Sequence, residues 1–167
     1  MSSFEQTLSI IKPDAVERNL ENEIKEMFKK NDFLILKEKK IQIDKSEAEM
    51  FYKVHETKPF YNDLCIYLSS GPIVVMVLEK DNAVMGNRKL MGATNPKDAD
   101  EGTIRKKYGI SIDKNSVHGS DSVENAKIEI DFFFKDWKFS WLLLDKVYVL
   151  ETKFFSLKIF QFHFYLS

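Results

Sequence analysis

One short segment, Asn115-Ser116-Val117-His118-Gly119-Ser120-Asp121, sets a histidine among small and polar residues. Imidazole titrates near neutrality, so a neutral ring nitrogen of His118 is available as a nucleophile, and Gly119 beside it leaves room for a ligand to approach. A lone loop histidine is more often an ordinary one; its company changes the balance. Lys12, Arg88 and Arg105 are three cations at the ends of predicted elements, and Thr94 adds a hydroxyl. Guanidinium groups suit bidentate phosphate contact. The chain has no Gly-x-x-x-x-Gly-Lys-Ser/Thr and no Gly-x-Gly-x-x-Gly. Nucleotide phosphates, if they bind, must therefore be held by side chains rather than by a glycine-rich backbone cradle.

These groups need elements to carry them. Thr7-Leu8-Ser9-Ile10-Ile11 alternates and then meets Lys12-Pro13-Asp14, which reads as a strand ended by proline with a cation at its tip. Leu20, Ile24, Met27 and Phe28 share a helical face and predict a helix over 20–31. Phe33, Ile35, Ile41 and Ile43 share one parity and predict a long strand over 33–43 with a charged middle. Asp44-Lys45-Ser46-Glu47 is a capping box in its Asp form, opening a helix that runs to about His55; a second spans Tyr61 to Leu68. After the Gly71-Pro72 turn, Ile73 to Leu78 is the continuous apolar run of a buried central strand. Asn82 to Leu90 reads as a helix capped by Asn82. Residues 91–120 are mostly loop, broken by a short helix near Thr103–Tyr108, and so long a loop is usually functional. Ile128 to Phe132 alternates strictly and reads as the last strand, with Glu129 and Asp131 opposite Ile128, Ile130 and Phe132. The order β-α-β-(αα)-β-α-β predicts an α+β, ferredoxin-like βαββαβ fold: a four-stranded antiparallel sheet covered by helices, plus the long active-site loop.

Composition bounds the rest. With 44% hydrophobic and 31% charged residues, the 167-residue chain is neither disordered nor collagen-like. A net charge of -1 argues against a protein that coats nucleic acid, but not against small anions held by a few placed cations. One cysteine, Cys65, builds neither a disulfide framework nor a cysteine zinc site and points to a reducing compartment. No basic stretch followed by an apolar run opens the chain, and no stretch approaches the ~18 apolar residues of a membrane span. Composition shifts near residue 135. The six glycines and four prolines all lie at or before Gly119, whereas 135–167 holds 10 of the 22 aromatics and five lysines against three acids. This divides the chain into a punctuated globular domain, 1–134, and an atypical aromatic-rich tail, 135–167.

The segment around His118 resembles the active-site signature of nucleoside diphosphate kinases. Thr7-Leu8-Ser9-Ile10-Ile11-Lys12-Pro13-Asp14-Ala15-Val16 is similar to that family's opening strand, and Ser70-Gly71-Pro72 and Met91-Gly92-Ala93-Thr94-Asn95-Pro96 match two further segments. The resemblance covers roughly residues 5–134 in fixed order and spacing. It implies a ping-pong reaction: His118 takes the γ-phosphate of ATP or another nucleoside triphosphate and passes it to a nucleoside diphosphate, maintaining nucleoside triphosphate pools. It implies that Glu129 hydrogen-bonds the other ring nitrogen of His118 and that Ser120 supports Glu129. Lys12 and Tyr52 match residues near the transferred phosphate, Lys12 offsetting charge and the Tyr52 hydroxyl donating. Arg88, Thr94 and Arg105 match phosphate contacts, and Asn115 a contact to the sugar hydroxyl. Phe60 matches the aromatic that stacks on the base, with Ile112 lining the other side; stacking accepts purines and pyrimidines alike. His55 has a supporting role at most. The resemblance also implies Mg²⁺, bound mainly through substrate phosphates and water, with Asp121 the nearest protein candidate, through water. Expected partners are nucleoside triphosphates and diphosphates and further copies of the chain, as a tetramer or hexamer, with no obligate nucleic acid, no membrane span and a cytoplasmic location.

Two other readings use the same fold: a phosphohistidine carrier or protein-histidine kinase whose acceptor is another protein, and a regulatory binding protein. Residues 135–167 have no counterpart in the family. Three readings of them are open: an added strand or helix, an amphipathic segment for a membrane or partner, or a translated frameshift or read-through, which their Phe, Lys, Leu and Ile richness slightly favours.

Overall fold

The computed structural model describes residues 4–135, so the readings of the aromatic tail lie, from residue 136 onward, outside the described residues. Two strands carry the interior. β1 (Phe4–Ile11) is buried from Thr7 to Ile11, and β3 (Ile73–Asp81) is buried from Ile73 to Leu78. They pair antiparallel over eight residues, from Phe4 opposite Asp81 to Ile11 opposite Val74. β2 (Leu34–Ile41) flanks β3, and β4 (Val117–Gly119) flanks β1, giving the antiparallel order β2-β3-β1-β4. Lys37, Lys39 and Lys40 line the outer strand β2, whose pairing shifts register between Ile35 and Lys37. Charges and an irregularity blunt an edge that would otherwise recruit another strand.

Helices cover this sheet: α1 (Pro13–Glu17), α2 (Glu21–Lys30), α3 (Lys45–Phe51), α4 (Tyr61–Leu68), α5 (Ala83–Met91), α6 (Ile104–Tyr108) and α7 (Val123–Phe133), with a 3₁₀ turn at Lys53–His55. In α2, Ile24 and Phe28 face inward against Phe33, Met76 and Leu78. Phe28 and Phe33 meet edge to face at 5.8 Å. Truncating so buried a ring to alanine costs about 3–5 kcal/mol in general. The capping box at Asp44 forms in both directions, Glu47 N donating to Asp44 Oδ1 at 2.8 Å and Asp44 N to Glu47 Oε2 at 3.0 Å.

The predicted α+β architecture is the observed one, with four local differences. Residues 128–132 are not a strand but the second half of α7. Ser122 starts that helix, its Oγ accepting from Asn125 N at 3.0 Å, and Ala126, Ile130 and Phe133 form the buried face. That i, i+4, i+7 spacing over a longer window outweighs a five-residue alternation, which leaves Ile128 67% exposed. The fourth strand is instead Val117–Gly119, inside the segment expected to be loop. Asn82 precedes α5 but does not cap it with its side chain; it is left-handed, with φ 55° and ψ 48°. It makes the tight turn out of β3, and Glu5 Oε1 accepts from Val84 N at 2.7 Å in its place. The helix opened by Asp44 ends at Phe51 rather than His55.

Candidate active site

His118 sits at the middle of β4, opposite Ile10. Ser9 Oγ donates to its carbonyl at 3.1 Å, and its ring packs edge to face against two adjacent rings, Phe51 at 5.3 Å and Tyr52 at 5.9 Å. Its Nε2 lies 3.1 Å from Glu129 Oε2. A carboxylate only accepts, so this contact places the proton of the neutral ring on Nε2 and the lone pair on Nδ1. Glu129 is fixed in turn: Ser120 Oγ donates to the same Oε2 at 2.7 Å and accepts from Leu8 N at 3.2 Å. Because Glu129 rides on α7, the pairing spans a strand and a helix. The expectation that Gly119 leaves room for a ligand is not met. A Cβ there would lie 2.4 Å from Asn87 Nδ2 and 3.0 Å from Met91 Sδ, so its space belongs to α5.

Three cations gather at element ends nearby. Lys12 follows β1, is 5% exposed, and donates from Nζ to Asn115 Oδ1 at 2.8 Å. Burial, and then the charge of Arg105, lower its pKa to about 8. Arg105, on α6, donates from Nη1 to Gly92 O at 2.9 Å and from Nη2 to Val117 O at 3.0 Å. Gly92 is needed there: its φ is +82°, and a Cβ would meet Thr103 Oγ1 at 2.5 Å. Burial and the neighbouring Arg88 lower the Arg105 guanidinium to about 10. Its Nε is buried without a hydrogen-bond partner among the described residues. Arg88 lies exposed in the last turn of α5. None of the three forms an ion pair with a carboxylate among the described residues. Repulsion and burial are tolerated where an anion is to be received.

Asn115 is 3% exposed, and its Nδ2 donates to Thr94 O at 3.2 Å and Ile112 O at 2.8 Å. Its Oδ1 accepts from Lys12 Nζ. Tyr52 is buried, and burial followed by the charge of Glu129 pushes its phenol up, so it stays protonated. A line of rings runs outward from His118 through Tyr52 and His55 to Phe60, with Tyr52–His55 at 6.1 Å and His55–Phe60 at 6.2 Å. Phe60 is 51% exposed and Ile112 56%, which leaves both apolar surfaces open to a base. The Thr94 side chain belongs to an exposed residue. Asp121 is exposed, and its Oδ1 accepts from Asn125 Nδ2 at 2.6 Å. No group of three His, Cys, Asp or Glu capable of caging a metal exists among the described residues. The donor set fits an ion carried by substrate phosphates rather than an all-protein site.

Three participants escaped the sequence reading. Phe51 packs on the His118 ring, and the Tyr67 ring, half-buried, lies 5.8 Å from Lys12 Nζ, its hydroxyl donating to Oδ1 of the buried Asp14. Asp14 follows the proline that ends β1, a position that looks like an ordinary turn acid. Nothing local signals its burial.

The family model for nucleoside diphosphate kinase matches residues 5–139. A nucleoside diphosphate kinase of Campylobacter jejuni is 58% identical over 132 residues, covering 79% of this chain and 96% of its own. One from Helicobacter hepaticus is 58% identical over 131 residues, 78% of this chain and 96% of its own. Among solved structures, the nucleoside diphosphate kinase of Aquifex aeolicus aligns with a TM-score of 0.78 at 37% identity, covering 79% of this chain and 96% of that one.

Proposed function

The chain belongs to the nucleoside diphosphate kinase family, and from that membership we propose that His118 is the phosphoryl carrier of a ping-pong transfer between nucleotides. The enzyme is a phosphotransferase acting on nucleotides. The observation that carries the assignment of His118 is its pairing with Glu129 at 3.1 Å beside Lys12, Arg88 and Arg105. In the first half-reaction Nδ1 attacks the γ-phosphorus of a nucleoside triphosphate. The bond from that phosphorus to the β–γ bridging oxygen breaks, and the diphosphate leaves. In the second, a terminal oxygen of a different nucleoside diphosphate attacks the phosphorus and the P–N bond breaks, returning the electron pair to Nδ1.

The protein's task is alignment and charge stabilisation. Glu129, supported by Ser120, holds the Nε2 proton through both steps and stabilises the ring as it becomes positive. Lys12, Arg88 and Arg105 balance the phosphate oxygens, with the hydroxyls of Thr94 and Tyr52 donating. Asn115 Oδ1 accepts from a sugar hydroxyl. Phe60 and Ile112 enclose the base without reading its edge. Mg²⁺ would be held chiefly by the substrate phosphates and water, offsetting phosphate charge, and Asp121 would be the nearest protein group to it.

The catalytic unit is residues 1–134, whose last element, α7, ends at Phe133; residues 135–167 have no assigned part in the chemistry. By family membership we take the protein to be a homo-oligomer, tetramer or hexamer, in solution. No helix among the described residues is long and apolar enough to cross a membrane, and with a single cysteine we place the protein in the cytoplasm.

The test is a phosphoenzyme assay with γ-labelled ATP and Mg²⁺, chased with GDP. The expected result is an acid-labile, base-stable label on the protein that moves to GTP. No label, or label that GDP cannot discharge, overturns the assignment.

A further inference from the structure

We infer that Asp14 is a positioning residue for the transfer: its buried carboxylate holds Ser116 in a strained turn and so keeps Lys12, Asn115 and His118 in mutual register. This rests on the role of His118 proposed above.

The turn is the point of departure. Val117 N donates to Asn115 O at 2.8 Å, closing a three-residue γ-turn about Ser116. The φ of Ser116 is +70°, and the residue is fully buried. A γ-turn with positive φ is rare and strained for a residue with a Cβ. It persists only where its surroundings over-determine it. The peptide here is over-determined. Lys12 N donates to Ser116 O at 2.8 Å, and Ser116 Oγ donates to Asp14 Oδ2 at 3.1 Å.

Asp14 gathers more than that one bond. Arg18 Nη2 donates to Oδ2 at 3.0 Å, and the Tyr67 hydroxyl donates to Oδ1. Arg18 Nη2 also donates to Tyr108 O at 2.7 Å, at the end of the helix that bears Arg105. The carboxylate therefore bonds Tyr67 of α4 and the turn before β4 directly, and reaches the end of α6 through Arg18. β4 is only three residues long and pairs on one side with β1, so His118 has few backbone anchors of its own. The turn at Ser116 is where its placement is set. Asn115, at the first corner of the turn, is the partner of Lys12 Nζ.

The experiment separates held geometry from mere stability. Ser116→Ala removes the hydroxyl but keeps the Cβ that strains the turn. Ser116→Gly removes both, and glycine adopts positive φ readily. Single-turnover phosphorylation of His118 by ATP and the dissociation constant for ADP are measured on the full chain. Ser116→Ala and Asp14→Asn are expected to slow phosphorylation tenfold or more, with a smaller change in ADP affinity. Ser116→Gly is expected to slow it less than threefold, and adding it to Asp14→Asn to recover most of the lost rate. Equal rates for Ser116→Ala and Ser116→Gly overturn the inference, as does an Asp14→Asn defect that Ser116→Gly leaves untouched. If Asp14→Asn does not fold, the Ala and Gly pair decides alone. Failure of the wild-type chain to form phosphohistidine overturns the function itself, a different outcome from equal variants on a working enzyme.

Discussion

The imidazole of His118 and the cations Lys12, Arg88 and Arg105 are held by opposite means. Around His118 the polar atoms answer one another: ring nitrogen to Glu129, Glu129 to Ser120, Ser120 to the backbone of Leu8. Around the cations the charge is left open. Lys12 and Arg105 find neutral carbonyl and amide oxygens, neither forms an ion pair with a carboxylate among the described residues, and both are pushed toward deprotonation. A nucleophile must point correctly before substrate arrives, so its orientation is fixed internally. A phosphate holder works best when the phosphate is its first counter-charge.

Four experiments press on that contrast. Removing the nucleophile has the largest effect: His118→Ala lowers turnover by at least ~10⁴-fold, while ADP affinity in calorimetry stays within a few-fold of wild type. Residual turnover within tenfold of wild type would remove His118 from the mechanism. Next comes Arg105→Ala, expected to cost about 10²–10³-fold in kcat/KM. Arg105→Lys should restore little of it, because the planar fork spans the Gly92 and Val117 carbonyls and an ammonium cannot. Third, Glu129→Gln keeps the shape but leaves an amide that accepts or donates, so the tautomer is no longer dictated. A loss of about 10–100-fold in kcat, on the scale of other supporting contacts to histidine, is expected with nucleotide affinity preserved; a loss in affinity alone would contradict the orienting role.

The smallest effect is a pH dependence. Lys12 is lowered to about 8, so nucleotide affinity should fall as pH rises through that value, by up to about tenfold per unit. Lys12→Arg should flatten the profile. Stability runs the other way. Between about 8 and the ordinary lysine value the unfolded chain binds the extra proton, so this residue's contribution to stability rises with pH across that window. The melting temperature of wild type minus that of Lys12→Met, followed from pH 8 to 10, tests the sign.

What could be read from the chain beforehand was mostly local. The capping box at Asp44, the helix from Tyr61 to Leu68 and the buried run from Ile73 to Leu78 each depend on neighbours within a few residues, and each is found where expected. Val117–Gly119 could not be read as a strand, because three residues carry no period and the pairing partner is Ser9–Ile11, more than a hundred residues away. Ile128–Phe132 misled because two periods coincide there; Ser122 and the apolar positions Ala126, Ile130 and Phe133 held the helical signal. His118, Lys12, Arg88, Arg105 and Thr94 stood out by residue type and placement, whereas Glu129, Tyr52, Phe60, Ile112, Asn115, Ser120 and Asp121 were named by resemblance to a family. Their supports, Phe51 on the His118 ring and the bonds from Asp14 to Tyr67 and Ser116, are long-range contacts between unrelated stretches of sequence.

The open cations have a bearing on the protein's resistance to heat. Lys12 and Arg105 raise the free energy of the empty fold by sitting buried and close to like charge. On the assignment proposed above, a nucleotide bound at these cations would relieve that repulsion in the folded state alone. By mass action, nucleotide at one hundred times its dissociation constant adds about 2.7 kcal/mol to the unfolding free energy. On the proposed assignment, resistance to heat is then tied to nucleotide concentration: the chain melts at the lowest temperature when nucleotide is scarce.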